Sequence, residues 1–513
     1  MSGLPEQRVL LLLLDGLGLP DSGAPASGFE TYLPDLHRLF RRYPSVPLRP
    51  AAGSGRDNAG GLFRYFVLGT GHRGESAQAR IREAVGRDTL GTNAVLQEQF
   101  ARVRQHQSAW HLVGLLSDSG RHSEFGHSVA LLRAARAAGL PRVFVHCFLD
   151  GRDMPEQDGV RLVEDLVERL RSERLGTLAT VIGRRYAMAV GNRWGGIEKT
   201  YRLMVCGEGS CVRDPIRGIR ERYAGGYSDW NMPPLLVCRE DDSPGIIRNQ
   251  DEIFFCHTRT DGIYRLMSTF SLRHFAGFER KRLRVGMAAL AGWPLPADIP
   301  VAFEQPVAVH GLGAQLAKAG KRQIHIAGMA HYHRVGTVLQ GGNAEPPVGD
   351  DRVFIPDEDS AEETGDGMAW LWQIADAVRE AIRDNHYALV TAYLAVEDLP
   401  GFHTNRDRFH DSLRHLDEAV SRLVQSMLKQ QGSVVLTAGA GHAQFFNSSG
   451  VRKTGDGQQS STVPCLICVP ERDIQLKAQG TFSDVAPTVL DLLDLSAPEE
   501  MTGQSLLLSR TRF

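Results

Sequence analysis

At 513 residues the chain is longer than one ordinary core can hold, so two domains or more are expected. Hydrophobic content of 42% and charged content of 23% are those of a globular protein, and a formal net charge of −2 carries no basic excess, so neither nucleic acid nor an anionic membrane is expected as a partner. Seven cysteines, an odd number scattered along the chain, make no disulfide framework and predict a reducing, cytoplasmic setting.

The first element lies at residues 9–18. An unbroken apolar run from Val9 to Leu14 ends in Asp15 and Gly16. That is how a buried parallel strand reads when it delivers a carboxylate to the end of a sheet, where open α/β folds bind their ligands. A turn or helix-cap aspartate is the plain alternative. The run is too short to span a bilayer and lacks a small-residue cleavage site, so neither a signal peptide nor an anchor is expected. Residues 51–74 read as a glycine-rich loop region. Strands are predicted at 111–116, 143–149 and 178–182, with an amphipathic helix over 159–170 that places Val160, Leu162, Val163, Leu166, Val167 and Leu170 on one face. Residues 206–249 read as irregular. Further strands are predicted at 253–256, 301–303 and 323–327, with 309–320 leading into a helix. The late runs 387–396, 433–438 and 463–469 are strand candidates. Between the first two, apolar residues recur at helical spacing over 411–431 and stop at Gly432. Residues 482–493 repeat the helical pattern, with Ser483 and Asp484 as the expected cap. This alternation is the signature of an α/β protein.

Common nucleotide and hydrolase motifs are absent: no phosphate loop, no dinucleotide fingerprint, no nucleophile-elbow serine. Cys465 and Cys468 have redox or metal-ligand spacing, but they sit inside an apolar run with no second pair, which predicts buried structural cysteines. Three strand ends carry more information. Asp150-Gly151-Arg152-Asp153 brackets an arginine with carboxylates, the stretch from Asp118 to His122 supplies an acid and an imidazole, and Arg184-Arg185 is cationic. Together they suit a small anion such as a phosphorylated acid, with a salt-bridged turn as the structural alternative. Glu397 and Asp398, followed by His403, have the donor types of a divalent-metal site.

The stretches LLLLDGLG, LLSDSGRHS, VHCFLDGRD, IGRRYAM with NRW, QGGNAEPPVGDDR, FSDVAPTVLDLL and EMTGQSLL occur in that order. On them the chain resembles the cofactor-independent phosphoglycerate mutases of the alkaline phosphatase superfamily, over essentially its whole length. The resemblance implies two α/β domains. An alkaline-phosphatase-like metal domain would take residues 1–77 and 310–513, and an inserted phosphoglycerate-binding domain residues 78–309. It also implies an isomerase of glycolysis, in which two Mn²⁺ ions and a phosphorylated serine move phosphate between the hydroxyls of glycerate.

Residue by residue, the resemblance is uneven. Asp15 matches a metal ligand, and Asp398 and His403 match an Asp–His metal pair with a spacing longer by one residue. The family's serine loop aligns on residues 55–62, which places Ala59 or Gly61 at the nucleophile. An Asp-His metal pair is replaced by Gly439 and Ala440, with His442 displaced, and the last metal histidine falls on Gln458, Gln459 or Ser460. The substrate side keeps His122, Arg152, Asp153, Arg184 and Arg259, loses an arginine at Ala189-Val190-Gly191, and has His331 for a lysine. The implied protein is a pseudoenzyme with remnant ligands Asp15, Asp398 and His403. It is expected to need no cofactor, to retain a phosphoglycerate-like anion, and to act through a protein partner. The alternative is an active Mn²⁺-dependent mutase or phosphohydrolase with relocated ligands, drawing on Ser54, Thr70 or His442.

Overall fold

A computed structural model describes residues 7–18, 28–49, 62–189, 194–238, 245–293, 295–296, 298–343, 345–356, 368–402, 406–441, 462–470 and 474–508. The chain divides into two compact units. Ser76–Gln305 forms one, and the two chain ends, up to Glu75 and from Pro306, form the other.

The unit built from the chain ends is organised on an eight-stranded sheet. Its order is Asp350–Ile355, Arg322–Gly328, Tyr387–Ala395, Val9–Asp15, Ser433–Thr437, Val463–Cys468, Ser45–Arg49 and Gly480–Thr481. Val9–Asp15 is parallel to both of its neighbours and buried along its whole length, which is why its sequence is continuously apolar rather than alternating. The register pairs Asp15 with Ala395 and bridges Gly16 to Gly441. Three strand ends therefore finish at one edge. The helices Ala369–Asp384 and Arg406–Lys429 cover this unit, the second burying Leu413, Leu416, Val420, Leu423, Val424 and Met427 as its spacing predicts.

The second unit has its own eight-stranded sheet, ordered Val301–Phe303, Gly286–Ala291, Glu252–Phe255, Trp110–Leu116, Val143–Leu149, Thr177–Gly183, Leu235–Val237 and Ser210–Val212. All pairings are parallel except Thr177–Gly183 with Leu235–Val237. Two apolar layers complete it, one including Phe100, Leu132 and Leu166, the other Tyr201, Leu203 and Leu266. Both faces are covered, as a parallel sheet requires.

Several expectations are corrected. The glycine-rich region holds a helix, Phe63–Thr70, because five of its eight residues have apolar or aromatic side chains, and four of those, Phe63, Tyr65, Phe66 and Leu68, are in the core. The irregular stretch 206–249 contains two short strands and the helix Pro215–Ala224, opened by Asp214, whose carboxylate accepts from the backbone N–H of Ile216 and Arg217. A disulfide joins Cys211 to Cys238 across those two strands, against the expectation of reduced cysteines throughout. The late helix begins with a 3₁₀ turn capped by Thr481 rather than by Ser483 and Asp484, and the Asp484 carboxylate answers by accepting from the Thr481 N–H at 2.8 Å. Cys465 and Cys468 are buried, and burial pushes both thiols up to about 12. Among the described residues no helix is long and apolar enough to cross a membrane.

Candidate functional site

In the unit built from the chain ends, parallel register gathers Asp15, the turn after Tyr387–Ala395 and the turn after Ser433–Thr437. Asp15 is buried, and both of its oxygens are occupied. Oδ1 accepts from the backbone N–H groups of Gly439 and Ala440, each at 3.0 Å. Oδ2 accepts from the Tyr393 hydroxyl at 2.9 Å and from the Arg334 guanidinium at 3.3 Å. Arg334 also donates to the Tyr393 hydroxyl and lies 5.2 Å from the ring centres of both Tyr65 and Tyr393. Burial, reinforced by the Asp15 charge, holds the Tyr65 phenol well above its usual value; burial does the same to Tyr393 against the opposing charge of Arg334. Both hydroxyls stay protonated. None of Arg334, Tyr65 and Tyr393 is visible as a site residue in the sequence, since the tyrosines sit within apolar runs and the arginine in no motif.

Asp398 and Asp15 both act on Tyr393 through their charges. Asp398 pairs with His331, whose ring packs 4.6 Å from that of Tyr393. Gly439 brings no donor side chain, and a Cβ there would fall 2.4 Å from Tyr65 Cζ; its carbonyl accepts from Arg64 at 2.9 Å. Thr70 is buried, its hydroxyl donating to the Phe66 carbonyl at 2.7 Å, so it is spent on its own helix. Ala59, Gly61, Ser54, His403, His442 and 458–460 lie outside the described residues. Among the described residues no group of three or more His, Cys, Asp or Glu could hold a metal ion. The Mn²⁺ pair implied by the resemblance does not fit them: four donors fill the Asp15 carboxylate, and one of those donors is itself a cation.

The second unit keeps a polar site. Leu116, Leu149 and Gly183 end in register, which brings Ser117, Asp150 and Arg184 together. Arg184 is buried and donates through Nη1 to Asp150 at 2.7 Å and to Asp153, while its Nη2 meets His122 Nε2 at 3.0 Å. A guanidinium can only donate, so His122 accepts at Nε2 and carries its proton on Nδ1. That Nδ1 is buried and has no hydrogen-bond partner among the described residues. Burial, and then the charges of Arg259 and Arg184, hold the His122 imidazole well below its usual value, so it is neutral. Asp153 lies well below the carboxylate range, because Arg184 and Arg121 outweigh its burial.

Asp150, which sequence reasoning treats only as one bracket of Arg152, organises the turn. It accepts from Ser117 at 2.7 Å, from the N–H groups of Arg152 and Asp153, and from Arg184. Gly151, at φ +59°, is needed there: a Cβ would fall 2.4 Å from the Trp230 backbone nitrogen. Arg259 is held by Asp261. Four arginines (121, 152, 184 and 259) face three carboxylates (150, 153 and 261), a cationic balance suited to an anion.

Comparison with known proteins finds relatives over nearly the whole chain. Residues 81–293 match the family model described as the BPG-independent PGAM N-terminus. A 2,3-bisphosphoglycerate-independent phosphoglycerate mutase of Moorella thermoacetica is 32% identical over 98% of this chain and 98% of its own length. Its counterpart in Syntrophotalea carbinolica is 31% identical with the same coverage. A crystal structure of Leishmania mexicana phosphoglycerate mutase at low cobalt concentration shares the fold, with a TM-score of 0.86 at 20% identity over 99% of both chains. The two-unit α/β architecture is therefore that of the alkaline-phosphatase-like mutases, and the chain belongs to the 2,3-bisphosphoglycerate-independent phosphoglycerate mutase family.

Proposed function

We propose that this protein is a catalytically degraded member of its family, a cytoplasmic pseudoenzyme that binds a phosphoglycerate-like anion and acts through a protein partner. In this reading residues 1–77 and 310–513 are the former metal domain and 78–309 the anion-binding insertion. The observation that carries it is the Asp15 carboxylate, whose acceptor positions are taken by two backbone N–H groups, a phenol and a guanidinium. A metal site is cooperative, and loss of even an outer partner costs about 10- to 100-fold in affinity or activity. Filling an inner ligand with internal donors goes further. Support for retained anion binding comes from the second unit, where the neutral His122, beside Arg184 and Arg259, has an Nδ1 with no hydrogen-bond partner among the described residues. Arg152, at the same turn and close enough for its charge to lower Asp153, brings a further guanidinium suited to a phosphate or carboxylate.

The test has two arms. Metal analysis of the purified protein together with a coupled assay of 3-phosphoglycerate isomerisation is expected to find neither stoichiometric manganese or zinc nor turnover. Bound metal with turnover would establish the working-enzyme alternative instead. Titration calorimetry with 3-phosphoglycerate is expected to show binding that Arg152→Ala weakens by about 10- to 150-fold, the value of one charge-assisted hydrogen bond. Absence of heat in the wild type would leave the partner role alone.

A further inference from the structure

A buried carboxylate at a strand end needs a counter-charge, and in this fold its position is where a metal ion would supply one. Here the charge comes from the chain. Arg334 leaves a widened helical turn, Arg334–Val338, and reaches Asp15 Oδ2 and the Tyr393 hydroxyl at once. We infer that Arg334 is a tethered substitute for a metal ion: it neutralises Asp15, braces the ends of the central strands, and leaves the unit complete without any divalent cation. This rests on the metal-free reading above.

The surroundings of Arg334 are matched to that role. The other oxygen of Asp15 binds the two N–H groups of the Gly439–Ala440 turn. That turn is pinned on its carbonyl side as well, Gly439 by Arg64 and Ala440 by the Gly16 N–H at 2.9 Å. Tyr65 and Tyr393 place aromatic rings about the guanidinium, an environment that favours a delocalised cation over a strongly hydrated one. Tyr65 also takes the room that a side chain at position 439 would need. The change from metal to arginine is therefore carried by several residues acting as one packed group. Restoring a carboxylate at 439 alone would meet the Tyr65 ring. An arginine stays protonated throughout the physiological range, so this counter-charge is constant and independent of metal supply.

The experiment is thermal unfolding of the full chain in EDTA and in 1 mM MnCl₂, for wild type, Arg334→Met, Arg334→Lys and the double variant Asp15→Asn/Arg334→Met. The wild type should melt within about 1 °C in the two buffers. Arg334→Met should melt about 6–10 °C lower, the scale for stripping a buried charge of its partner in a unit of this size. Arg334→Lys, which keeps the charge, should lie between the two. The double variant should recover at least half of the loss, because it removes the stranded carboxylate charge along with its partner. A wild-type Tm raised by manganese would overturn both this inference and the metal-free reading. Manganese-insensitive wild type with Arg334→Met equally stable, or with no recovery in the double variant, would overturn this inference alone. If Arg334→Met does not accumulate as folded protein, Arg334→Lys decides: a loss beyond about 6 °C would refute the counter-charge role.

Discussion

Arg184 tests the second unit most directly. The residue is 5% exposed, and its guanidinium is the shared partner of two buried carboxylates and of His122. Arg184→Met keeps most of the volume and removes the charge, leaving Asp150 and Asp153 to Arg121, the more distant charge of Arg152, the Ser117 hydroxyl and backbone N–H groups. Removing one member of a buried ion pair costs about 3–5 kcal/mol. In a unit the size of Ser76–Gln305, each kcal/mol moves Tm by about 2–4 °C, so a drop of about 6–20 °C is expected. Urea unfolding followed by the fluorescence of Trp110 and Trp230 should show a lower midpoint with an unchanged slope. Arg184→Lys should recover only part of the loss, since an ammonium cannot reproduce the planar fork that serves two carboxylates and an imidazole. A cost below about 1 kcal/mol for Arg184→Met would refute the reasoning, because it would mean the carboxylates are not held by this arginine.

Three further outcomes are expected. Burial holds His111, His122 and His146 below their usual value, and pushes His257 down to about 3 and His325 to about 4. Unfolded histidines protonate near about pH 6.5, so below that point the unfolded chain binds more protons and stability falls, by up to about 1.4 kcal/mol per pH unit for each histidine. Asp229 and Asp417, raised to about 6 chiefly by burial, act oppositely and offset part of the loss below pH 6; a melting profile that stayed flat from pH 7 to 4.5 would contradict this balance. The Cys211–Cys238 bond spans a sequence separation of 27, worth about 3–4 kcal/mol by loop-closure entropy, so Cys211→Ser and wild type in reductant should melt alike and below the oxidised protein. Gly439→Ala should cost about 1–3 kcal/mol by overpacking against Tyr65, and Tyr65→Leu in the same chain should relieve it; a neutral Gly439→Ala would show that the ring is not fixed there.

Much of the scaffold is legible in the sequence because buried parallel strands write uninterrupted apolar runs. Val143–Leu149 is read to the residue, and the polar residues that follow such runs, Asp15, Asp150, Arg152, Asp153 and Arg184, do lie at strand ends. The helices Phe63–Thr70 and Pro215–Ala224 are hidden because neighbouring glycines and charges outweigh their short apolar faces, although the Asp214-Pro215 pair is a usable start signal. The arginine and tyrosines around Asp15 are illegible for a different reason. Arg334 and Tyr393 lie 319 and 378 residues from Asp15 in sequence, and only the sheet register brings them together. No local pattern encodes such a meeting.

The position of Val9–Asp15 between two late strands has a consequence for synthesis. The segment is made before both of its neighbours, and Tyr393 lies 378 residues downstream of Asp15, about 20–75 s later at ordinary elongation rates. During that interval Ser76–Gln305 can complete its own sheet, while an extremely apolar nascent strand waits unpaired. Such a strand is a natural client for a holdase, and translational pausing beyond residue 305 would lengthen its exposure to aggregation.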